Sequence, residues 1–186
     1  MGTQFTLFDA ERMTLGDSIS LTVDSLRVHG VEHGHWAIAY SGGKDSTTLV
    51  TLVPHLIRMG LVPAPKRLTV LYADTRMELP PLAASAETML SRLAAEGIET
   101  RVVRAEMDKR FLVYMLGRGV PPPNNSTFRW CTRQIKVDPM HDELDRLREG
   151  SPGVLMLTGV RLGESAARDG RIAISCGKNG AECGQG

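Results

Sequence analysis

One glycine-rich segment constrains the fold of this chain more than any other feature. An apolar run, HWAIAY (His35–Tyr40), leads directly into SGGKDST (residues 41–47). A helical pattern follows, because apolar residues recur at three- and four-residue intervals from Leu49 to Ile57. The segment is therefore predicted to be a tight turn between a buried strand and a helix.

The residue types in this turn suit an anion. Glycines let the backbone approach a ligand closely, and the first amides of the following helix favour phosphate. Lys44 adds a positive charge, and the hydroxyls of Ser41, Ser46 and Thr47 are potential donors. The spacing differs from that of the nucleoside-triphosphatase P-loop, which has four residues between its first glycine and Gly-Lys-Ser/Thr. We expect a phosphate-binding loop of another kind.

The rest of the chain alternates strand and helix patterns. The apolar run Arg67–Asp74 is typical of a buried strand, and Glu99–Ala105 and Gly153–Val160 are predicted to be two further strands. The alternation predicts an α/β fold with a mostly parallel central sheet of about five strands, flanked by helices. The 186 residues are expected to form one domain (1–186), in which 159–186 is a Gly-rich, cysteine-bearing tail.

Composition narrows the function classes. With 22 basic and 21 acidic residues the net charge is +1, which argues against binding driven by overall charge but leaves room for a local basic patch. No apolar run is long enough to cross a membrane, and we do not expect the first dozen residues to act as a secretory signal, because they contain acids and no apolar core. Three cysteines, an odd number, indicate thiols kept for chemistry or metal, so we expect a cytoplasmic protein without a membrane partner.

The turn resembles the SGGxDS pyrophosphate loop, or PP-loop, of the ATP pyrophosphatases. That resemblance implies that the loop binds the β,γ-pyrophosphate of magnesium-bound ATP, which is attacked at its α-phosphorus. FRWCTRQIK (128–136) and the GVR, ES and R elements of 159–168 resemble the branch that contains phosphoadenosine phosphosulfate (PAPS) reductases. The expected catalytic residues are Lys44, Asp45, Arg161 and Arg168. The expected nucleotide-binding residues are Ser41, Gly42, Gly43, Ser46, Thr47, Asp74, Arg129, Arg133 and Lys136.

Asp74 is placed in this set by its position at the end of a predicted strand. Ligands of open α/β sheets bind at the carboxyl ends of strands, so Asp74 is expected to contact the nucleotide or its magnesium. The alternative is that Asp74 caps the helix that follows, for which Thr75 and Glu78 also fit a capping box.

DTRMELP (74–80), PPPNNSTFRWCT (121–132) and the ISC and ECGQG elements of the tail resemble the DndC family of DNA phosphorothioation systems. The resemblance implies that ATP adenylylates a DNA phosphate and that a cysteine desulfurase, working with other phosphorothioation proteins, supplies sulfur. It also implies a [4Fe–4S] cluster on Cys131, Cys176 and Cys183, with a fourth ligand that the sequence does not reveal.

Other interpretations stay open. One is a PAPS or adenosine phosphosulfate reductase, in which Cys183 attacks the sulfate sulfur. Others are a sulfurtransferase of the tRNA-thiolation type and a module that binds ATP without turning it over. For the cysteines themselves, the alternative to metal ligation is that they are small buried apolar residues.

Overall fold

A four-stranded parallel sheet forms the centre of the fold. The computed structural model describes residues 14–124, 128–151, 153–159 and 170. The strands are β1 (His35–Tyr40), β2 (Arg67–Ala73), β3 (Glu99–Val103) and β4 (Val154–Thr158), in the order β3-β2-β1-β4. Every pairing is parallel, which confirms the predicted α/β class; the described residues supply four strands, where about five were expected.

Helix α1 (Leu15–His29) precedes β1, and the other helices connect the strands. They are α2 (Lys44–Arg58), α3 (Pro80–Ala95), α4 (Trp130–Thr132) and α5 (Asp138–Arg148). A π-helical stretch, Arg133–Val137, joins α4 to α5 without a break. A second one lies at Val113–Gly117, and a short 3-10 turn at Met107–Lys109. None of the helices in the described part of the chain is long and apolar enough to cross a membrane.

The chain divides into two compact units. Residues 29–160 form one of them and contain β1 to β4. Helix α1 belongs mainly to the other unit, and Thr14 and Asp17 cap it reciprocally: the Thr14 amide donates to Asp17 Oδ2 at 3.0 Å, and the Asp17 amide to Thr14 Oγ1 at 3.2 Å. The prediction of a single domain over 1–186 with a tail at 159–186 stays a prediction.

The connections determine which helices cover which face of the sheet. The crossovers β1-α2-β2 and β2-α3-β3 move in one direction across the sheet, and β3-α5-β4 returns in the other. Because such crossovers are right-handed, α2 and α3 cover one face and α5 covers the opposite face. Helix α5 buries Leu147 against Ala37 and Leu71, with Met140 and Leu144 beside them.

Helix α5 runs antiparallel to the strands. Leu147, near its end, packs on Ala37, near the start of β1, whereas Glu143 pairs with Arg101 in the middle of β3. The continuous helix therefore begins, at Trp130, beyond the carboxyl ends of the strands. This places the FRWC segment at the same edge of the sheet as the glycine-rich turn.

Candidate functional site

The glycine-rich turn follows β1 as predicted, and serine hydroxyls hold its shape. Gly42 has φ +75°, a left-handed conformation that favours glycine. The Ser46 hydroxyl is buried and donates to the Gly43 carbonyl at 3.0 Å. Its oxygen accepts the Ser41 amide at 3.2 Å and lies 3.0 Å from the Ser41 hydroxyl. The hydrogen bonds of these two serines thus connect the beginning of the turn to the start of the following helix.

Helix α2 begins at Lys44 with an N-terminus that no side chain caps. The first intrahelical bond runs from the Thr47 amide to the Gly43 carbonyl at 2.9 Å, and the Thr47 hydroxyl donates to the same carbonyl at 2.9 Å. Lys44 is exposed and forms no ion pair with any acidic residue in the described ranges. An uncapped helix end beside an unneutralised lysine is an environment that stabilises a bound anion.

Gly159 lies against this turn from the end of β4. A Cβ atom at Gly159 would stand 2.8 Å from the Asp45 carbonyl oxygen and 3.0 Å from the Ser46 nitrogen. Both neighbours are backbone atoms, so neither can move aside cheaply. The glycine of the Gly159-Val160-Arg161 motif is therefore needed for the close approach of two backbones, a role that the sequence did not reveal.

Asp74 lies one strand away, directly after β2. Its Oδ1 accepts the Arg76 amide at 3.0 Å, and its Oδ2 is 2.7 Å from Arg104 Nε and 3.2 Å from Arg76 Nε. Burial by itself would raise the pKa of Asp74, but the hydrogen bonds from Arg104 and from the Arg76 amide hold it below its ordinary value. The carboxylate is thus charged and compensated by two guanidinium groups.

The capping-box prediction for Thr75 and Glu78 is wrong for the helix that follows. The Thr75 amide and hydroxyl both donate to Glu78 Oε1, at 3.2 and 2.7 Å, and the Thr75 hydroxyl oxygen accepts the Met77 amide at 3.3 Å. Helix α3, however, begins only at Pro80, with Leu79 as its N-cap. The bonds stabilise a separate turn after β2, because the proline, well suited to a first helical position, starts the helix later.

The basic residues around the start of α4 are exposed. Trp130 and Ile135 are on the inward side of the helix, whereas Arg129, Arg133 and Lys136 are exposed to solvent. Arg133 Nε pairs with Asp138 Oδ1 at 3.1 Å. The other two basic residues expected at the nucleotide site, Arg161 and Arg168, lie outside the described residues. That all five basic residues act at one site stays a prediction.

Cys131 is the second residue of α4. It is half-buried, beside a Trp130 ring that stacks on Phe111 with centroids 5.3 Å apart. Cys176 and Cys183 lie outside the described residues. Within the ranges that the structure does describe, no three metal-ligating side chains converge. The cluster ligands therefore stay a prediction.

A groove at the same edge of the sheet contains residues that the sequence did not single out. Its volume is about 440 Å³, and its two walls follow the neighbouring strands β2 and β3. We call this the β2–β3 groove; its lining residues are Thr75, Arg76, Met77, Met107, Arg110, Phe111, Leu112 and Val113. Arg76 has φ +61°, the one left-handed non-glycine residue in the described ranges.

Comparison with known proteins shows to which family the chain belongs. The sequence model of the phosphoadenosine phosphosulfate reductase domain family matches residues 35–179, from the first residue of β1 into the cysteine-bearing tail. The match spans the turn of residues 41–47, the FRWC segment and the GVR motif. No curated protein matches the chain. Since the matched region includes most of the chain, the protein belongs to the phosphoadenosine phosphosulfate reductase domain family.

Proposed function

We propose that this protein is an ATP pyrophosphatase that activates an acceptor for sulfur incorporation, with a DNA backbone phosphate as the acceptor. The observation that carries the proposal is the geometry of residues 41–47. The exposed Lys44 and the uncapped start of α2 provide a charged, donor-rich surface for a terminal pyrophosphate. The family supports an enzyme that acts on nucleotides.

The chemistry follows from which part of ATP the loop holds. An acceptor phosphate oxygen attacks the α-phosphorus of ATP, and the bond from that phosphorus to the α,β-bridging oxygen breaks. Pyrophosphate leaves with the bonding electron pair, and the acceptor keeps the adenylyl group. Because negative charge grows on the leaving pyrophosphate, Lys44 and the first amides of α2 stabilise the transition state more than the ground state. The outer sulfur of a persulfide on a cysteine desulfurase partner then attacks the activated phosphorus, and AMP leaves with the bonding electron pair. A thiol reductant cleaves the remaining S–S bond and frees the phosphorothioate.

Magnesium would accompany ATP and neutralise part of its phosphate charge. Asp45 lies in the first turn of α2 and is the one carboxylate among the loop residues 41–47. Asp74 fits this role less well, since Arg76 and Arg104 already compensate its charge. We assign Asp74 to holding the arginines beside the nucleotide.

An iron–sulfur cluster would supply a relay for sulfur or electrons. Cys131 fits a ligand position in one respect, because it is half-buried at the carboxyl edge of the sheet, where α4 begins. Cys176 and Cys183 would be the other ligands. Iron and sulfide content after anaerobic purification tests this part of the proposal.

A second function is favoured by the family itself. In a PAPS or adenosine phosphosulfate reductase, Cys183 would attack the sulfate sulfur and sulfite would be released. Formation of sulfite from the sulfonucleotide would support this function, whereas AMP and pyrophosphate from ATP would support the first. Nucleotide binding without either product would support a sensing module, and thiolation of tRNA a sulfurtransferase of that type.

Substitution of Lys44 tests the role of the loop. We expect Lys44→Ala to lower kcat/KM for pyrophosphate release from ATP by about 100-fold, the effect of losing a charge-stabilising donor. Lys66→Ala is the matched control, because Lys66 is an exposed lysine that precedes β2, at the opposite edge of the sheet. Equal activity of the two variants would contradict the assignment.

A further inference from the structure

The β2–β3 groove lies beside the proposed ATP site without being part of the loop. Tyr40 and Tyr72 are paired in register, so Ser41 leaves the sheet beside Ala73, the last residue of β2, about 5 Å away. The first groove wall, Thr75–Met77, follows within a few residues. The second wall follows β3, one strand further from the loop. A molecule in the groove would therefore be adjacent to ATP.

The first wall is held in an unusual conformation. A left-handed φ is unfavourable for arginine, yet Asp74 fixes Arg76 through both its amide and its Nε. The Thr75–Glu78 bonds stabilise the same turn. This double support keeps the Arg76 side chain in the groove lining and prevents the turn from relaxing.

The second wall supplies a second guanidinium group. Arg110 is half-buried, and its Nε donates to the Ala105 carbonyl at 3.3 Å. It forms no ion pair with an acidic residue in the described part of the chain, and no acidic side chain lines the groove. The side chains of Met77, Met107 and Phe111 make the remaining surface mostly apolar.

These features define the chemistry of the ligand. Thioether and aromatic side chains suit the flat face of a nucleobase, and arginine both stacks on bases and binds phosphate. A volume of about 440 Å³ is sufficient for one nucleotide. We infer that the β2–β3 groove binds one unstacked base of the acceptor nucleic-acid strand, with Arg76 and Arg110 on the adjoining phosphates. The inference rests on the proposed function, because it names the site at which that function's acceptor binds.

The test measures nucleic-acid and ATP affinity separately. A fluorescein-labelled single-stranded oligodeoxynucleotide is titrated with protein at low salt, and fluorescence anisotropy gives its Kd. Arg110→Ala is expected to weaken oligonucleotide binding at least fivefold. We expect the same from Met107→Glu, which places a carboxylate where the native side chain is 62% exposed. Arg148→Ala removes an exposed arginine near the end of α5 and should leave the affinity within a factor of two. Thermal melts establish that each variant is folded.

Each outcome bears on the inference. A loss of oligonucleotide affinity that clearly exceeds the loss of ATP affinity supports it, as does weaker binding of a blunt duplex of the same sequence. Equal losses for ATP and oligonucleotide would assign the groove to ATP and overturn the inference, as would unchanged binding in both groove variants or no binding by the unmodified protein. Failure to release AMP and pyrophosphate would instead contradict the proposed function and leave the groove result standing.

Discussion

Gly159 shows how a single hydrogen atom in place of a side chain can shape a site. It brings the end of β4 against the backbone of Asp45 and Ser46, so the loop is supported from a strand that is distant in sequence. The same contact connects the loop to the GVR motif, whose next two residues lie outside the described part of the chain. The position of the loop thus depends on β4 as well as on β1.

Gly159→Ala is expected to displace the loop. The added Cβ would be 2.8 Å from the Asp45 carbonyl oxygen, closer than real contacts allow, so one of the two backbones must shift. We expect at least a tenfold loss of ATP turnover, together with a destabilisation of about 1–3 kcal/mol, the range for overpacking. Gly150→Ala is the control, because nothing lies within 4 Å of a Cβ there. Wild-type turnover in Gly159→Ala, measured beside this control, would show that the contact is dispensable.

Asp74→Asn separates the two roles considered for this residue. Asparagine keeps an oxygen for the Arg76 amide but loses the charge that holds two guanidinium groups. We expect turnover to fall several-fold while the magnesium concentration for half-maximal activity stays unchanged. Asp145→Asn, which removes an exposed carboxylate on α5, is the matched control. A raised magnesium requirement in Asp74→Asn alone would identify Asp74 as a metal ligand instead.

How far the sequence predicts these residues depends on what each one contacts. The loop residues 41–47 and the strand before them form a local pattern, and both are found where predicted. The constraint on Gly159, by contrast, arises from a contact with residues more than a hundred positions away. The groove was not predicted because its methionines and arginines have no periodicity that distinguishes them from an ordinary surface.

At the scale of elements, a network of polar side chains lies at the amino ends of the strands, whereas the candidate site lies at their carboxyl ends. The Thr69 hydroxyl is 2.9 Å from His35 Nε2 and 3.1 Å from Glu99 Oε2. Glu99 also accepts bidentate hydrogen bonds from Arg67, at 2.7 and 2.8 Å, and a bond from Arg101. Three adjacent strands are thus linked by side chains as well as by backbone hydrogen bonds.

This network makes stability depend on pH. The hydrogen bond from Arg67, which outweighs the opposing effect of burial, and those from Arg101 and Thr69 lower the pKa of Glu99 from 4.5 to about 2. Because the folded-state pKa lies below the unfolded one, the stabilisation is fully present above pH 4.5 and is lost as the pH falls towards 2. We expect a loss of about 2–3 kcal/mol across that window.

Urea unfolding at a series of pH values measures this loss. Glu99→Gln should be less stable than the unmodified protein at neutral pH and should show a smaller decline below pH 4.5. Burial, followed by the charge of Arg67, also lowers the pKa of His35 from its ordinary value of 6.5. The stability that neutral His35 contributes is therefore lost as the pH falls below 6.5, at higher pH than the loss from Glu99. Parallel pH profiles for Glu99→Gln and the unmodified protein would contradict the account of Glu99.

At the scale of the whole molecule, the amino and carboxyl ends of the strands have different roles; we call them the amino edge and the carboxyl edge of the sheet. The amino edge carries the compensated network of His35, Thr69 and Glu99, which stabilises the fold. The carboxyl edge carries the loop, the Asp74 turn, the groove and the start of α4, where Lys44 and Arg110 have no acidic partner in the described ranges. Charge left uncompensated at one edge is what a site for anionic substrates requires. The predicted parallel sheet accounts for the position of the loop after a strand, whereas no pattern in the sequence distinguished the arginines of the groove.

The products formed from ATP test the central claim most directly. Protein purified without oxygen is incubated with magnesium and ATP labelled at the α-phosphorus, with and without DNA, and the labelled products are separated. We predict that the label appears in AMP or in adenylylated DNA, with one pyrophosphate released for each ATP consumed, and that Lys44→Ala loses both products. Labelled ADP accompanied by inorganic phosphate would contradict the claim, because it would mean that ATP is cleaved at the β,γ-position rather than at the α-phosphorus.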